Sequence, residues 1–135
     1  MSKNAYGFSI TPQALINTKR RSVMQKDIEM TNFLKICDHF SNLQEDLGYK
    51  SIWSISEVGF ADLNHKIFTD KPRRVAYRYV DSIGEKEVSM LATNGSIKQL
   101  WFAAESCIRQ SGTHHRYIEN FYMQDDGSLL LVTGS

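Results

Sequence analysis

Between residues 30 and 47 the apolar side chains of Met30, Phe33, Leu34, Cys37, Phe40, Leu43 and Leu47 recur every three or four positions. That spacing places them on one helical face and predicts a core-packed helix closed by Gly48. Thr11-Pro12 reads as an N-cap followed by proline in the first turn, and no glycine or proline interrupts residues 13–47. Residues 11–47 are therefore one long helix or a helix pair. The first half is less apolar and carries Lys19, Arg20, Arg21 and Lys26, which favours a break between Thr18 and Ser22 over a projecting amphipathic arm.

From Ser51 to Ala92 the pattern changes to runs rich in branched and aromatic residues: SIWSI, VGFADL, KIF, RRVAYRYV and EVSMLA. These read as strands, with a hairpin turn between Asp81 and Glu85 that uses Gly84. Ser96-Ile97-Lys98-Gln99 then matches a capping box, and Ile97, Leu100, Trp101, Ala104 and Ile108 line one helical face before Gly112 stops the helix. The C-terminal runs HRYIENFYM and SLLLVT form two strands joined at Asp126-Gly127.

This order predicts an α+β fold: an N-terminal helix or helix pair, an antiparallel sheet of about five strands, and a further helix packed on the sheet before a C-terminal hairpin. Secretion-chaperone-like domains resemble this order in topology, without a shared motif. Residues 1–10 read as a flexible N-terminus and residues 11–135 as a single α+β domain, with no internal repeat or low-complexity tract.

A chain of 135 residues with 41% hydrophobic and 23% charged positions can bury its own core without staples. Its net charge of +1 disfavours a strongly basic nucleic-acid protein, so any attraction for anions must come from local clustering. No secretion signal or membrane-length apolar run is present, which points to the cytoplasm and to no membrane partner. Cys37 and Cys107 both fall on apolar helical faces and read as small buried hydrophobes, not as a disulfide.

Local clustering is found at residues 66–81, KIFTDKPRRVAYRYVD. On a strand, Arg74 and Arg78 share one face, while Arg73, Val75, Tyr77 and Tyr79 share the other. Forked guanidinium groups suit phosphates or carboxylates, and Lys66, Lys71 and Arg73 could widen the patch. A solvated sheet face with Tyr77 and Tyr79 in the core would present the same pattern. His114 and Arg116 would share a face at the start of the last hairpin and join the candidate ligand-binding set. His114 and His115 on a strand would project to opposite faces and could not close on one metal ion. No metal motif, cofactor motif, nucleophile elbow or phosphate loop occurs, so no metal, cofactor or catalytic residue is assigned. The start of the helix at Asn94-Gly95-Ser96 is a generic anion site, although capping accounts for these residues. Trp101 belongs to the core stripe, whereas Trp53 fits either the core or a stacking surface.

Two functions fit these residues best. One is a small non-catalytic binding or regulatory protein that captures an anionic small molecule or nucleic-acid phosphate with Lys71, Arg73, Arg74, Tyr77, Arg78, Tyr79, His114 and Arg116. The other is a protein-interaction module, an inhibitor, adaptor or chaperone, that meets an acidic protein partner. A third is a small enzyme with His114 or His115 as base and Glu105 or Glu119 nearby. A homodimer through the N-terminal helices or a sheet edge accords with the apolar content.

Overall fold

The computed structural model describes residues 23–135, with side chains from Lys26 onward. The flexible N-terminus expected over residues 1–10, the expected cap at Thr11-Pro12, the cations Lys19, Arg20 and Arg21, and the break expected between Thr18 and Ser22 all lie outside the described residues. Helix α1 spans Val23–Leu47. It ends as its pattern requires, with Gly48 at φ 69°, where a side chain would be strained, and with Tyr49 N donating to Gln44 O at 3.2 Å. Ile36, Phe40, Leu43 and Leu47 pack on the core. Met30, Leu34 and Cys37 are exposed, contrary to the single-stripe reading. At 3.6 residues per turn they lie roughly a third of a turn from the buried stripe. Among the described residues it is the C-terminal half of the helix that meets the core, against β1, a 3-10 turn and Trp101.

Strand β1 (Ile52–Trp53) and the 3-10 turn Ser56–Val58 follow, then β2 (Arg73–Val80), β3 (Glu85–Ala92), helix α2 (Ile97–Ser111), β4 (Tyr117–Met123) and β5 (Leu129–Gly134). They make an α+β fold with one five-stranded sheet in the order β1-β4-β5-β2-β3. The two hairpins, β2/β3 and β4/β5, are antiparallel and turn where Gly84 and Gly127 were expected to turn them. The sheet as a whole is mixed rather than antiparallel. The helical crossover through α2 returns the chain so that β5 enters parallel to β2, and β1 lies parallel to β4.

The expected strands VGFADL and KIF are absent, and SIWSI contributes only Ile52–Trp53. Their apolar residues serve burial instead of pairing: Ile55 and Phe68 are buried, and Val58, Ala61, Leu63 and Ile67 pack against the same core. β-propensity measures fit to a half-buried surface, which an irregular segment under a helix also provides. This segment docks at Gly95, whose carbonyl accepts from Ile67 N (2.9 Å) and Phe68 N (3.2 Å). A side chain at Gly95 would collide with the Phe68 backbone.

Helix α2 buries Ile97, Leu100, Trp101, Ala104 and Ile108, as its stripe predicts. Half of its capping box forms: Ser96 Oγ accepts from Gln99 N at 3.2 Å, while Gln99 Oε1 turns to Thr93 N. Trp53 is also a core residue. It packs 6.1 Å from Trp101, 6.3 Å from Phe40 and 5.7 Å from Phe121 between ring centroids. Among the described residues no helix is long and apolar enough to cross a membrane.

One carboxylate enters this core. Glu105 is 4% exposed and accepts from Lys50 N (3.0 Å), Ser51 N (2.8 Å), Ser51 Oγ (2.6 Å) and the Arg109 guanidinium. Ser51 Oγ in turn accepts from Trp101 Nε1 at 3.1 Å. Burial pushes the Glu105 carboxyl up, but the hydrogen bonds from Ser51, Lys50 and Arg109 outweigh it and hold the group below the ordinary carboxylate range.

A depressed carboxyl stabilises the fold above its unfolded pKa of about 4.3, and the contribution is lost as pH falls from there. Glu105→Gln should therefore lower stability near neutral pH by about 1–3 kcal/mol, because buried donors lose an acceptor, and should shallow the loss of stability below about pH 4.5. Urea unfolding followed from pH 3 to pH 7 checks both effects. The thiols should also separate: Cys37 is exposed, whereas burial pushes Cys107 up to about 11. One thiol should react with an aromatic disulfide reagent in the native protein, and the second only after unfolding.

Candidate binding cleft at the end of the sheet

Strand β2 divides the candidate residues between the two sheet faces. Arg73 lies on the helix-covered face, where its Nη1 donates to Gly127 O (2.9 Å) and its Nη2 to Thr69 Oγ1 (3.0 Å). Its Nε is buried without a hydrogen-bond partner. Arg73 is thus a tie between the β4–β5 turn and the segment before β2.

Arg74 and Arg78 share the opposite face as expected, but each meets a carboxylate there. Glu87, directly across from Arg78 in β3, accepts from Arg78 Nε at 3.1 Å and from Arg74 Nη1 at 3.4 Å. Arg74 also lies 3.9 Å from Asp126. The Arg78 guanidinium, and then that of Arg74, holds the Glu87 carboxyl below its ordinary range. The two arginines sit about 13 Å apart along the strand with this acid between them, so the face is a neutral ladder and not a basic patch. Lys71 is exposed in the loop before β2, and Lys66 pairs with Asp70 at 3.4 Å.

The remaining candidates converge at the other end of β2. Tyr77, Arg78, Tyr79, Val80 and Asp81 form one wall of a cleft of about 500 Å³, and the α2–β4 turn, Ser111 to His115, forms the other. Alternate side chains of a strand point to opposite faces, so a cleft that touches five consecutive residues runs along the strand's edge. Among the described residues that edge is open, because β2 pairs with β5 only at Val75–Leu129 and Ala76–Leu130.

Inside the cleft Tyr77 and Tyr79 stack with centroids 6.0 Å apart and rings 16° from parallel. The Tyr77 hydroxyl and His115 Nδ1 both hydrogen-bond Thr133 Oγ1, at 2.8 and 2.9 Å. His114 meets His115 edge to face at 4.8 Å. The two histidines precede β4 instead of lying on it, so their rings touch where opposite faces were expected. Arg116 lies outside the lining, its guanidinium 5.8 Å over the Tyr117 ring, and does not share a face with His114.

Sequence reasoning missed Thr133, Lys86 and Lys50. Lys86 is the register partner of Tyr79 on the same face, a placement that follows once the Asp81–Gly84 turn fixes the hairpin. Lys50 Nζ donates to Thr113 O at 2.7 Å, a contact across the fold that carries no local signal. The acidic group in the lining, Asp81, has Oδ1 engaged by Ile83 N (2.8 Å) and Gly84 N (3.1 Å).

Among the described residues, no group of three His, Cys, Asp or Glu side chains could hold a metal ion. Glu105 is committed to Ser51, Lys50 and Arg109, and no hydrogen bond joins either histidine to Glu105 or Glu119. The start of α2 is closed as an anion site: Ile97 N donates to His65 O (2.9 Å), Lys98 N to Leu63 O (2.8 Å) and Gln99 N to the cap.

The two arginines of the β2 N-terminus should respond differently to removal. Arg73→Ala leaves the Gly127 carbonyl and Thr69 without a donor and should cost about 1–3 kcal/mol. Arg74→Ala breaks only exposed ion pairs and should leave the melting midpoint close to the parent's. Parallel calorimetric melts check the contrast.

Compared with models of known protein families, with curated proteins and with solved structures, the chain finds no match.

Proposed function

We propose that this is a small non-catalytic binding protein that captures an anionic ligand, one presenting phosphate or carboxylate oxygens, in the cleft between β2 and the α2–β4 turn. The observation that carries this reading is the convergence of Tyr77, Arg78, Tyr79, His114 and His115 on one concave surface. Lys50, whose Nζ donates to Thr113 O, adds positive charge at the turn that forms one wall. Only Arg78 Nε is taken up by Glu87, and the rest of its donor fork remains open to a ligand. The stacked tyrosines supply an apolar wall with a hydroxyl at its rim.

Arg74 plays no part in this reading, because it lies toward the other end of β2 and is paired with Glu87 and Asp126. An acidic partner protein is the second reading, favoured by the same cations, since a carboxylate side chain could enter the cleft as readily as a small anion. The free exposed thiol of Cys37 accords with a reducing, cytoplasmic setting.

Inorganic pyrophosphate, titrated into the ¹⁵N-labelled protein at low salt, should shift the amides of Tyr77–Asp81 and Ser111–His115. The shifts should fade between about 20 and about 200 mM NaCl, as contacts with an anion exchange with salt. Absence of shifts in these two segments, or shifts indifferent to salt, overturns the reading.

A further inference from the structure

The cleft has a second property besides its charge: one of its walls is the main chain of an unpaired strand edge. β3 occupies the far side of β2 along its whole length, from Arg73–Ala92 to Val80–Glu85. On the near side β5 leaves after Ala76, and among the described residues no other backbone group takes its place against Tyr77–Val80. Alternate N–H and C=O groups of this stretch therefore face the cleft, spaced as a further strand would need them.

Chain geometry keeps the slot open. Tyr77 is bound through its hydroxyl to Thr133 of β5, so side chains, not main-chain ladders, span the gap between the diverging strands. His115 is fixed to the same threonine, and Gly112 turns the end of α2 at φ 68°, which sets the turn as the opposite wall. Four residues at about 3.3 Å each give the slot a length of about 13 Å, enough for an extended segment of about four residues. The polar groups in its lining are Arg78, the two histidines and Asp81, whose Oδ1 is already bound by its own turn; Lys50 reaches Thr113 O from outside the lining, and across β2 stand Lys86, Glu85 and Glu87, the last on Arg78 Nε.

We infer that an extended acidic peptide segment of a partner protein docks in this cleft by adding a short strand to the free edge of β2 at Tyr77–Val80, with its carboxylates beside Arg78 and the histidines. Main-chain hydrogen bonds supply the affinity and the cations select acidic side chains, the division of labour in other strand additions. This inference rests on the anion-capturing reading above and narrows its ligand to a polypeptide.

The test uses the whole chain and an end-capped octapeptide of alternating glutamate and valine, beside the same peptide N-methylated on alternate residues in each of the two possible phases. The parent peptide should bind, slow hydrogen exchange at alternate amides of residues 77–80, and lose on the order of tenfold in affinity when the phase that faces β2 is methylated. Arg78→Glu, an exposed change, should weaken binding with an unchanged circular dichroism spectrum. If both methylated peptides bind like the parent, or no amide of residues 77–80 is protected, strand addition is wrong. If the peptide fails to bind while pyrophosphate still shifts the cleft amides, the peptide inference falls and anion capture stands. If neither binds, both fall.

Discussion

Glu105 is the constraint on which the arrangement of the layers depends, because a carboxylate buried this deeply must find donors and the donors it finds come from another part of the chain. Lys50 and Ser51 supply their main-chain N–H groups at the point where α1 has ended and β1 is about to begin. A helix surface thereby fixes the start of a strand that is itself only two residues long. Ser51 passes the tie to Trp101, and the tryptophan holds the aromatic cluster of Phe40, Trp53 and Phe121 against the sheet. An apolar residue at position 105 would leave two buried N–H groups without acceptors, which costs more than the hydrophobic gain of removing one carboxylate. The polar group and the aromatic cluster are thus one unit: the first fixes position and the second supplies the burial energy.

The same economy of pairing explains the cleft. Two hairpins meet along β2 and β5 with only two residue pairs between them, and the crossover through α2 must then return over the top of the seam to reach β4. Where the strands part, Thr133 bridges to Tyr77 and His115, and the turn that follows α2 comes to rest beside the open edge. A binding surface arises here because the sheet is mixed. In an uninterrupted antiparallel meander β2 would have a full-length neighbour on each side, and Tyr77–Val80 would present no free main chain.

How much of this was legible in the sequence varies with the range of the interaction. Helix α2 was readable because its cap, stripe and terminator are all local: Ser96, Trp101 with its neighbours, and Gly112. Both hairpin turns were readable for the same reason. The strands expected over residues 58–63 and 66–68 were not, since Val58, Leu63 and Phe68 are apolar for packing on the core and their spacing looks the same as that of a strand. Met30, Leu34 and Cys37 were misplaced because α1 extends beyond the core that would cover them, and no periodicity reports where a neighbour ends. For the site, the residue types on β2 were right, but their partners were not visible. Glu87 neutralises Arg78, and Gly127 claims Arg73, through cross-strand and tertiary register that lies outside any local window.

Register also decides the sign of the cleft. The carbonyl end of α2 points toward it, and by itself a helix C-terminus with Asp81 nearby repels anions. Lys50 reverses that balance by donating to Thr113 O, the carbonyl just beyond the helix, and Lys86 is delivered to the same side of β2 as Tyr79 by the register of the first hairpin. A slip of one residue in that hairpin would send Lys86 to the ladder face and bring Glu85 or Glu87 beside Tyr79. The turn that prevents the slip is held by Asp81, which accepts from Ile83 N and Gly84 N. The acid in the cleft that looks least suited to anion capture is therefore the group that keeps Lys86 in place, and its engaged carboxylate costs the site less negative potential than its formal charge implies.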